Sequence, residues 1–347
     1  MELGRGSFGS VQGVGSSAIK SFHSKSGNHL KNLVAEVFVT RYVSLDKPAN
    51  IIKLKGCNFE QLTMTTQRWH CNLEVALSKG MTLDQKRSVH ACILRGLAYL
   101  GRMFIVNADI KPSNIFVNKL YTEACIGDFG IGSLSGTARV RQTSPAFALA
   151  VDKARNHRSH DLLSFVILTL CMFYNHRIVK VMSSCEEVRA LIKALVPLSR
   201  MRAVLTALVQ DNGADCWTAE RALYELYGER LPESPRRLVF YELRDRTLLQ
   251  VIKENIVVIH TAYRYRKRTR CYNCSVQISA AVGCKSVQEC VAYSTVVCYV
   301  FSCMFGSVVQ LTVPDVLALA HIEKKQFYSC LNSIISEQQL IRLMFAP

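Results

Sequence analysis

Asp109-Ile-Lys-Pro-Ser-Asn114, followed nineteen residues after Asp109 by Asp128-Phe-Gly130, is the part of the sequence that decides the fold. Between the two stretches lie an apolar run at residues 115–117, a polar turn at residues 118–123 and a second apolar run at residues 124–127. This pattern predicts a hairpin of two short strands with a loop at either side. Such a hairpin would bring Asp109 and Asp128 back to the same end of the structure.

The residue types in these two stretches are those that transfer of a phosphoryl group to a hydroxyl requires. Asp109 offers a base, Lys111 offers a cation that faces phosphate, and Asn114 and Asp128 offer two metal ligands. Their order and spacing therefore indicate phosphotransfer chemistry.

A glycine-rich stretch near the start of the sequence supports this interpretation. Gly4, Gly6 and Gly9, followed by Val11, have the spacing of a hairpin that covers phosphate groups. Missing side chains would let backbone amides approach the oxygens. The same spacing is common by chance and also suits a simple turn, so by itself it does not distinguish the two.

A lysine and a glutamate at the expected places decide in favour of the phosphate hairpin. Lys20 ends a short strand-like run at residues 17–20, nine residues after Val11. Residues 30–45 then have apolar residues at helical spacing, with Glu36 as the acidic residue of that helix. An ion pair between Lys20 and Glu36 would hold the lysine ready for the α- and β-phosphates.

Taken together, these motifs resemble those of the eukaryotic-type protein kinases over roughly residues 1–230. The resemblance implies an α+β, two-lobed fold, with a small β-rich N-lobe at about residues 1–66 and a helical C-lobe at about residues 67–230. It also implies ATP and Mg²⁺ as cofactors and proteins as substrates. Residues 231–347 would form an all-α extension.

The resemblance gives each polar group an expected role. Asp109 would accept the proton of the substrate hydroxyl, and Lys111 would neutralise charge on the γ-phosphoryl group. Asn114 and Asp128 would hold Mg²⁺. The position of Lys111 resembles that of the serine/threonine-specific branch. The residues expected to bind ATP are Gly4, Gly6, Gly9, Val11, Lys20 and Glu36.

One departure from the family pattern lies directly before the base. The family places an arginine there, which receives the phosphate of a phosphorylated activation loop, but this chain has Asn107 and Ala108. Alanine has no donor with which to bind phosphate. We therefore predict activity that does not require phosphorylation of the activation segment at Thr137, Thr143 or Ser144.

Two further departures occur together. Residues 143–152 lack the glutamate that should end the activation segment, and no arginine, its usual partner, directly precedes Thr218. Losing both partners of a buried ion pair costs less than losing one, because no charge is left alone. We interpret the paired absence as divergence.

Asp161 matches the residue at the start of the helix that supports the catalytic loop.

A kinase-like protein without catalysis is the competing interpretation. Such proteins usually lose the lysine, the base or a metal ligand, and this chain keeps all three. The alternative would be a scaffold whose basic extension binds nucleic acid, or a partner from transcription or the cell cycle.

Short phrases in the sequence are most similar to the kinases of herpesviruses. They lie at residues 71–73, 96–100, 114–117 and 126–130. We therefore expect a virus-encoded protein that acts in the cytoplasm or nucleus of a host cell.

The chain leads directly into the glycine hairpin, so we expect no signal peptide. Its fourteen cysteines lack the spacing of a disulfide scaffold, and we expect them to be reduced.

The net charge of +17 predicts acidic partners. Part of it is concentrated after a predicted apolar helix at residues 248–262. The stretch is either a solvated helix end, which suits the helix dipole, or a patch for nuclear import or nucleic acid. Its basic residues are Arg264, Arg266, Lys267, Arg268 and Arg270.

Cysteines follow this basic stretch and could form a four-thiolate zinc site. The second pair is spaced by five residues instead of two, which departs from the usual motif. The four cysteines are Cys271, Cys274, Cys284 and Cys290.

The C-terminal residues allow three interpretations. The twenty-five residues between Glu289 and Asp315 are uncharged, include the apolar run 291–305 and are long enough to cross a bilayer, although they include several polar residues. The spacing favours three helices instead, at residues 286–305, 313–320 and 323–336. These helices resemble a cyclin box of the transcription factor IIB type. A bundle packed on the kinase lobe is the third possibility.

Overall fold

A computed structural model describes most of the chain. The described residues are 2–6, 9–23, 29–134, 158–174, 184–209, 217–232, 243, 245–263, 268–305 and 313–345. A β-sheet with one helix forms the beginning of the chain, and helices form most of the remainder. The predicted α+β, two-lobed fold with a helical extension is confirmed.

The N-lobe sheet has five antiparallel strands in the order β1-β2-β3-β5-β4. The strands are β1 (Glu2–Gly6), β2 (Gly9–Val14), β3 (Ser17–Phe22), β4 (Leu54–Asn58) and β5 (Thr63–Gln67). Strands β2 and β3 approach so closely at Gly9 that a Cβ there would lie 2.0 Å from the Ser21 carbonyl oxygen. Only glycine fits this position without moving the sheet.

Helix α1 (His29–Val43) packs against strands β3, β4 and β5. Eight consecutive residues, 33–40, are buried, so protein surrounds this part of the helix on every side. A helix that covers only one face of a sheet would show a single buried stripe. The burial of α1 therefore requires a second covering element.

The C-lobe is built around a long central helix, α3, which begins with a capping box between Thr82 and Gln85. Two short strands, β8 and β9, form the hairpin that the sequence predicted, with Ile115 opposite Ile126. The elements are β6 (Cys71–Asn72), α2 (Leu73–Ser78), α3 (Leu83–Arg102), β7 (Ile105–Val106), a 3₁₀ turn (Pro112–Asn114), β8 (Ile115–Val117), β9 (Ala124–Ile126), β10 (Ser133–Leu134), α4 (Arg158–Tyr174), α5 (Cys185–Leu195), α6 (Arg200–Leu208) and α7 (Ala219–Tyr227).

The extension contains six helices in its described part. They are α8 (Arg246–Tyr263), α9 (Arg268–Ala281), α10 (Val287–Phe305), α11 (Val313–Ala320), α12 (Lys324–Ser336) and α13 (Gln338–Met344). The apolar helix predicted at residues 248–262 corresponds to α8, and the three helices predicted after it correspond to α10, α11 and α12. Helices α9 and α13 were not predicted. Helix α10 is central, because it packs on α8, α9, α11 and α12 and also on α1 of the N-lobe.

Within the described part of the chain, α10 is the one helix long and apolar enough to cross a membrane. However, 72% of its apolar window, Val287–Met304, is buried inside the protein. Its polar residues also contact neighbouring helices, as when the Asn255 amide of α8 donates hydrogen bonds to Ser294 and Thr295. These features are typical of the core helix of a bundle.

The structure does not form the four-thiolate zinc set. Cys271 and Cys274 lie inside helix α9, which directs both side chains into the core of the extension. Cys274 packs against the sulfur of Met344, whereas Cys284 lies beside Cys290. This possibility is excluded because α9 places Cys271 and Cys274 among core residues that do not include Cys284 or Cys290.

Part of the basic stretch lies outside the described residues, namely Arg264, Arg266 and Lys267. Arg268 begins helix α9. The Arg270 guanidinium lies 5.6 Å from the centre of the Phe301 ring, so it packs on the extension itself.

A buried histidine joins three helices of the C-lobe. His90 of α3 is fully buried, and its Nδ1 lies 2.7 Å from the Tyr227 hydroxyl of α7. Its Nε2 lies 2.9 Å from the Thr169 hydroxyl of α4. The Thr169 hydroxyl donates to the Phe165 carbonyl, so it accepts from an Nε2–H group. Burial lowers the pKa of His90 to about 3, and the folded protein holds it neutral.

We predict that His90 makes stability fall with acidification. The unfolded state binds a proton near pH 6.5, whereas the folded state does not until about pH 3, so stability is lost as the pH falls between these values. From pH 7 to pH 5 the loss from this residue is about 2 kcal/mol. Urea unfolding of wild type and His90→Gln at both pH values measures it. Equal pH dependence in the two proteins would contradict the prediction.

Candidate active site

An ion pair joins strand β3 to helix α1. The Lys20 ammonium lies 2.8 Å from Glu36 Oε1 and 2.7 Å from Oε2, so the predicted pair is present. Glu36 is 2% exposed. A buried carboxylate without a partner would be costly, and this contact fixes α1 relative to the sheet.

Asp128 approaches the same lysine from the C-lobe. Its Oδ1 lies 3.5 Å from the Lys20 ammonium and accepts a hydrogen bond from the Gly130 amide. The next residue, Phe129, is fully buried and anchors the segment. A Cβ on Gly130 would lie 3.1 Å from Glu36 Oε2, so a small residue suits this position. The Asp-Phe-Gly sequence therefore matches the space around the ion pair.

The charges of this group reinforce one another. Burial favours the neutral forms of Lys20 and Asp128, but their mutual attraction opposes it. For Lys20, Asp128 and Glu36 outweigh burial and raise its pKa above the usual range. For Asp128, Lys20 and the Gly130 amide outweigh burial and lower its pKa. Both groups are therefore charged at neutral pH, and a cation lies beside a carboxylate that is 40% exposed.

A second group surrounds Asp109. The Lys111 ammonium lies 2.7 Å from Asp109 Oδ2, and the Asn114 amide donates to the same oxygen at 2.8 Å. Asn114 also donates to the Asp109 carbonyl, and its own carbonyl accepts from the Gly127 amide just before Asp128. The hairpin thus brings both predicted stretches together, as the sequence indicated.

The loop that carries Asp109 is held from below by helix α4. The Asp161 carboxylate accepts hydrogen bonds from the Asn107 amide at 2.7 Å and the Ala108 amide at 2.8 Å. Ala108 has φ +64°, a left-handed conformation that non-glycine residues adopt only at some cost. The two hydrogen bonds stabilise this conformation, and the expected position of Asp161 is confirmed.

Asn107 has a role that the sequence analysis missed. Its side chain is fully buried, its Oδ1 accepts from the Asp109 amide at 3.0 Å, and its Nδ2 donates to the Asp128 carbonyl at 3.1 Å. It therefore links the Asp109 loop to the Asp128 segment. The sequence shows a polar residue, Asn107, between the apolar run Ile105–Val106 and the base Asp109. This pattern alone reveals a departure from the family, but not that the side chain links two loops.

The glycine hairpin lies beside Lys20 in the sheet. Val11 is opposite Lys20 on one side and opposite Gly4 on the other, and Gly6 is opposite Gly9. The predicted ATP-binding residues thus belong to three adjacent strands and helix α1. The activation-segment positions Thr137, Thr143 and Ser144, residues 143–152, and the segment before Thr218 at residues 211–216 lie outside the described residues.

Comparison with known proteins agrees with this geometry. The family model described as "Protein kinase domain" matches residues 1–180, which is just over half of the 347-residue chain. A dual serine/threonine and tyrosine protein kinase of Xenopus laevis is 28% identical over 159 residues, covering 39% of this chain and 17% of that protein.

Two other relatives show the breadth of the similarity. A serine/threonine-protein kinase US3 homolog of Bovine herpesvirus 1.2 (strain ST) is 36% identical over 87 residues, covering 24% of this chain and 18% of that protein. A cyclin-dependent kinase 4 homolog of Caenorhabditis elegans is 30% identical over 149 residues, covering 37% of this chain and 36% of that protein. The matches span well under half the length of these relatives.

We predict that Asn107→Ala lowers the free energy of unfolding by about 1–3 kcal/mol, because the buried Asp109 amide and Asp128 carbonyl both lose a partner. Chemical unfolding monitored by circular dichroism measures the change. Asn332→Ala, which truncates an exposed asparagine on α12, is the matched control and should change stability by less than about 0.5 kcal/mol. Equal effects of the two substitutions would show that the buried link contributes nothing.

Proposed function

Because this chain belongs to the protein kinase family, we propose that it transfers the γ-phosphoryl group of magnesium-bound ATP to serine or threonine hydroxyls of proteins. The observation that carries the proposal is the convergence of two groups. Lys20, Glu36 and Asp128 form one, and Asp109, Lys111 and Asn114 form the other. The Asn107 side chain connects the two.

The residues present suit both ATP and Mg²⁺. Asp128 offers an ionised carboxylate and Asn114 an amide oxygen, and oxygen ligands of these kinds are what Mg²⁺ prefers. Mg²⁺, when bound, supplies positive charge that offsets the negative charge of the phosphates. Lys20 is a permanent cation at the edge of the same group, held in place by Glu36. It would bind the α- and β-phosphates under the glycine hairpin.

Asp109 would orient the substrate hydroxyl and take its proton. Lys111, 2.7 Å from Asp109 Oδ2, would place positive charge where the γ-phosphoryl group passes. Little covalent chemistry is required of the protein in such a transfer, so catalysis comes mainly from positioning and charge neutralisation. The hydrogen bonds from Asp161 and Asn107 supply the rigidity that positioning needs.

The serine/threonine preference rests on the placement of Lys111 two residues after the base. The similarity to a dual-specificity kinase leaves tyrosine as the alternative acceptor. We also propose that the protein is virus-encoded, in line with its similarity to a bovine herpesvirus kinase, and that it acts in the cytoplasm or nucleus of the host cell.

We propose a kinase domain at residues 1–230 and a separate extension at residues 231–347. Helix α7 ends at Tyr227, and helix α8 begins at Arg246. The family match ends at residue 180, so the cyclin-box resemblance of the extension has no support beyond the sequence phrases. An acidic partner or nucleic acid for the basic stretch at residues 264–270 is likewise a proposal from charge alone.

Substitution of the lysine and the base tests the proposed activity. With radiolabelled ATP, Mg²⁺ and a mixed protein substrate, Lys20→Met and Asp109→Asn should each lower phosphate transfer by about 10²–10⁴-fold. Lys119→Met is the matched control, because Lys119 is exposed in the turn of the β8–β9 hairpin, and its activity should equal that of wild type.

Phosphoamino-acid analysis of the labelled products tests the acceptor. Phosphoserine and phosphothreonine are expected, and phosphotyrosine would contradict the stated preference. A wild-type protein that binds ATP but transfers no phosphate would contradict the enzyme and favour the scaffold, with the extension as its binding surface.

A further inference from the structure

Helix α1 carries the glutamate of the proposed active site, and the extension covers the side of α1 that the sheet does not. Helices α10 and α13 both pack on α1. The sheet and the extension together account for the burial of residues 33–40. The position of Glu36 therefore depends on two surfaces, and one of them is contributed by residues about 250–300 positions later in the chain.

Polar and aromatic contacts fix the C-terminal end of α1 to this surface. The Arg41 guanidinium donates to the Ile335 and Ser336 carbonyls, both at 3.1 Å, where helix α12 ends. Carbonyls at a helix C-terminus have no partner within the helix and attract cations. Tyr42 stacks on Phe345, with ring centres 4.1 Å apart and planes 8° apart.

An ion pair continues the contact into the turn after α1. Arg342 of α13 lies 2.7 Å from Asp46 Oδ1, and each side chain is no more than 24% exposed. Asp46 Oδ2 also accepts a weaker hydrogen bond from Tyr99 of the C-lobe helix α3. The extension thus contacts α1 through apolar packing, a guanidinium–carbonyl contact, a ring stack and an ion pair.

We propose that the extension is a built-in positioning unit that holds α1 where Glu36 pairs with Lys20. This inference rests on the proposed kinase function and concerns the regulation of the same site. Arg342 and Phe345 are its positioning residues. A kinase of this design would be active without a phosphate on its activation segment, which agrees with Ala108 standing where a phosphate-binding arginine is expected. Loss of the contacts would shift α1 toward positions without the ion pair.

Disruption and repair of the Arg342–Asp46 pair tests this proposal in the full chain. Arg342→Asp should lower kcat/KM for ATP about tenfold, because two carboxylates would then repel each other, while KM for the protein substrate stays constant. Hydrogen exchange of the amides of α1 should become faster. Adding Asp46→Arg recreates the pair in reverse and should restore at least half of the lost activity.

Arg95→Asp is the matched control, because Arg95 forms a similarly exposed ion pair with Glu229 that does not touch α1. Full activity of Arg342→Asp would overturn the positioning role. An equal loss of activity in Arg95→Asp, together with no recovery when Asp46→Arg is added to Arg342→Asp, would overturn it too. Inactive wild-type protein would instead contradict the proposed function, so the two failures are distinguishable. Circular dichroism of each variant serves as the control for folding.

A second, independent observation is a buried group of metal-ligating side chains inside the extension. His260 of α8, Cys271 of α9 and Cys298 of α10 have ligand atoms within 4.8 Å of one another, and all three are buried. The Cys271 and Cys298 thiols are in hydrogen-bond contact.

The geometry points to a zinc site that joins helices α8, α9 and α10. Two thiolates and one imidazole are ligands that Zn²⁺ takes in proteins, and a set of three protein ligands leaves the fourth position to a water molecule. The site would stabilise the three helices around α10, the helix that packs on α1.

Metal analysis of the full chain, purified without chelator and then titrated with Zn²⁺ alone, tests this site. About one zinc per chain is expected, lost in Cys271→Ser and in Cys298→Ser. Cys330→Ser, a buried cysteine of α12 outside the group, should keep the metal. Less than about a tenth of an equivalent in wild type after titration would overturn the proposal, as would a disulfide between Cys271 and Cys298 or copper in place of zinc.

Discussion

The ion pair between Lys20 and Glu36 is the contact on which the rest of the site depends. Glu36 is almost fully buried, so its charge needs a compensating partner, and Lys20 is one. The pair joins the sheet to helix α1, and it places a cation next to Asp128 of the other lobe. Strand β3, helix α1 and the Asp128 segment, which are distant in sequence, are thus all in contact with the Lys20 ammonium. A Cβ added at Gly130 would lie only 3.1 Å from Glu36 Oε2, which shows how little space remains around the pair.

A strained backbone supports the other half of the site. Ala108 and Asp128 both have left-handed conformations, with φ +64° and +54°, on either side of the link made by Asn107. Such conformations persist only where neighbouring contacts compensate for them. Asp161 accepts two hydrogen bonds from the backbone amides below the Asp109 loop, and buried Phe129 anchors the segment after Asp128. The carboxylates are therefore positioned before any ligand arrives, which is what catalysis by positioning requires.

The sequence pointed to the residues of the candidate site because they come in short motifs with fixed local structure. The Asp109 and Asp128 stretches lie at the ends of one hairpin, and alternating apolar and polar runs reveal a hairpin well. Helices α10, α11 and α12 were predicted for a similar reason, namely their apolar spacing. Long-range packing left no such signal. Nothing in the local pattern shows that Arg342 meets Asp46, or that α9 turns Cys271 toward His260 instead of toward Cys284. Asn107 was missed because its partners are backbone groups.

A crystal structure of the chain with Mg²⁺ and a non-hydrolysable ATP analogue would show whether the Lys20–Glu36 pair and Asp128 receive the nucleotide and the metal. The account predicts phosphates between the glycine hairpin and Lys20, a metal ion bound by Asp128 and Asn114, and an unbroken contact between Lys20 and Glu36. It also predicts that α1 does not move relative to α10 and α13, because the extension already holds it. A nucleotide bound elsewhere, or a metal ion without Asp128, would contradict the account.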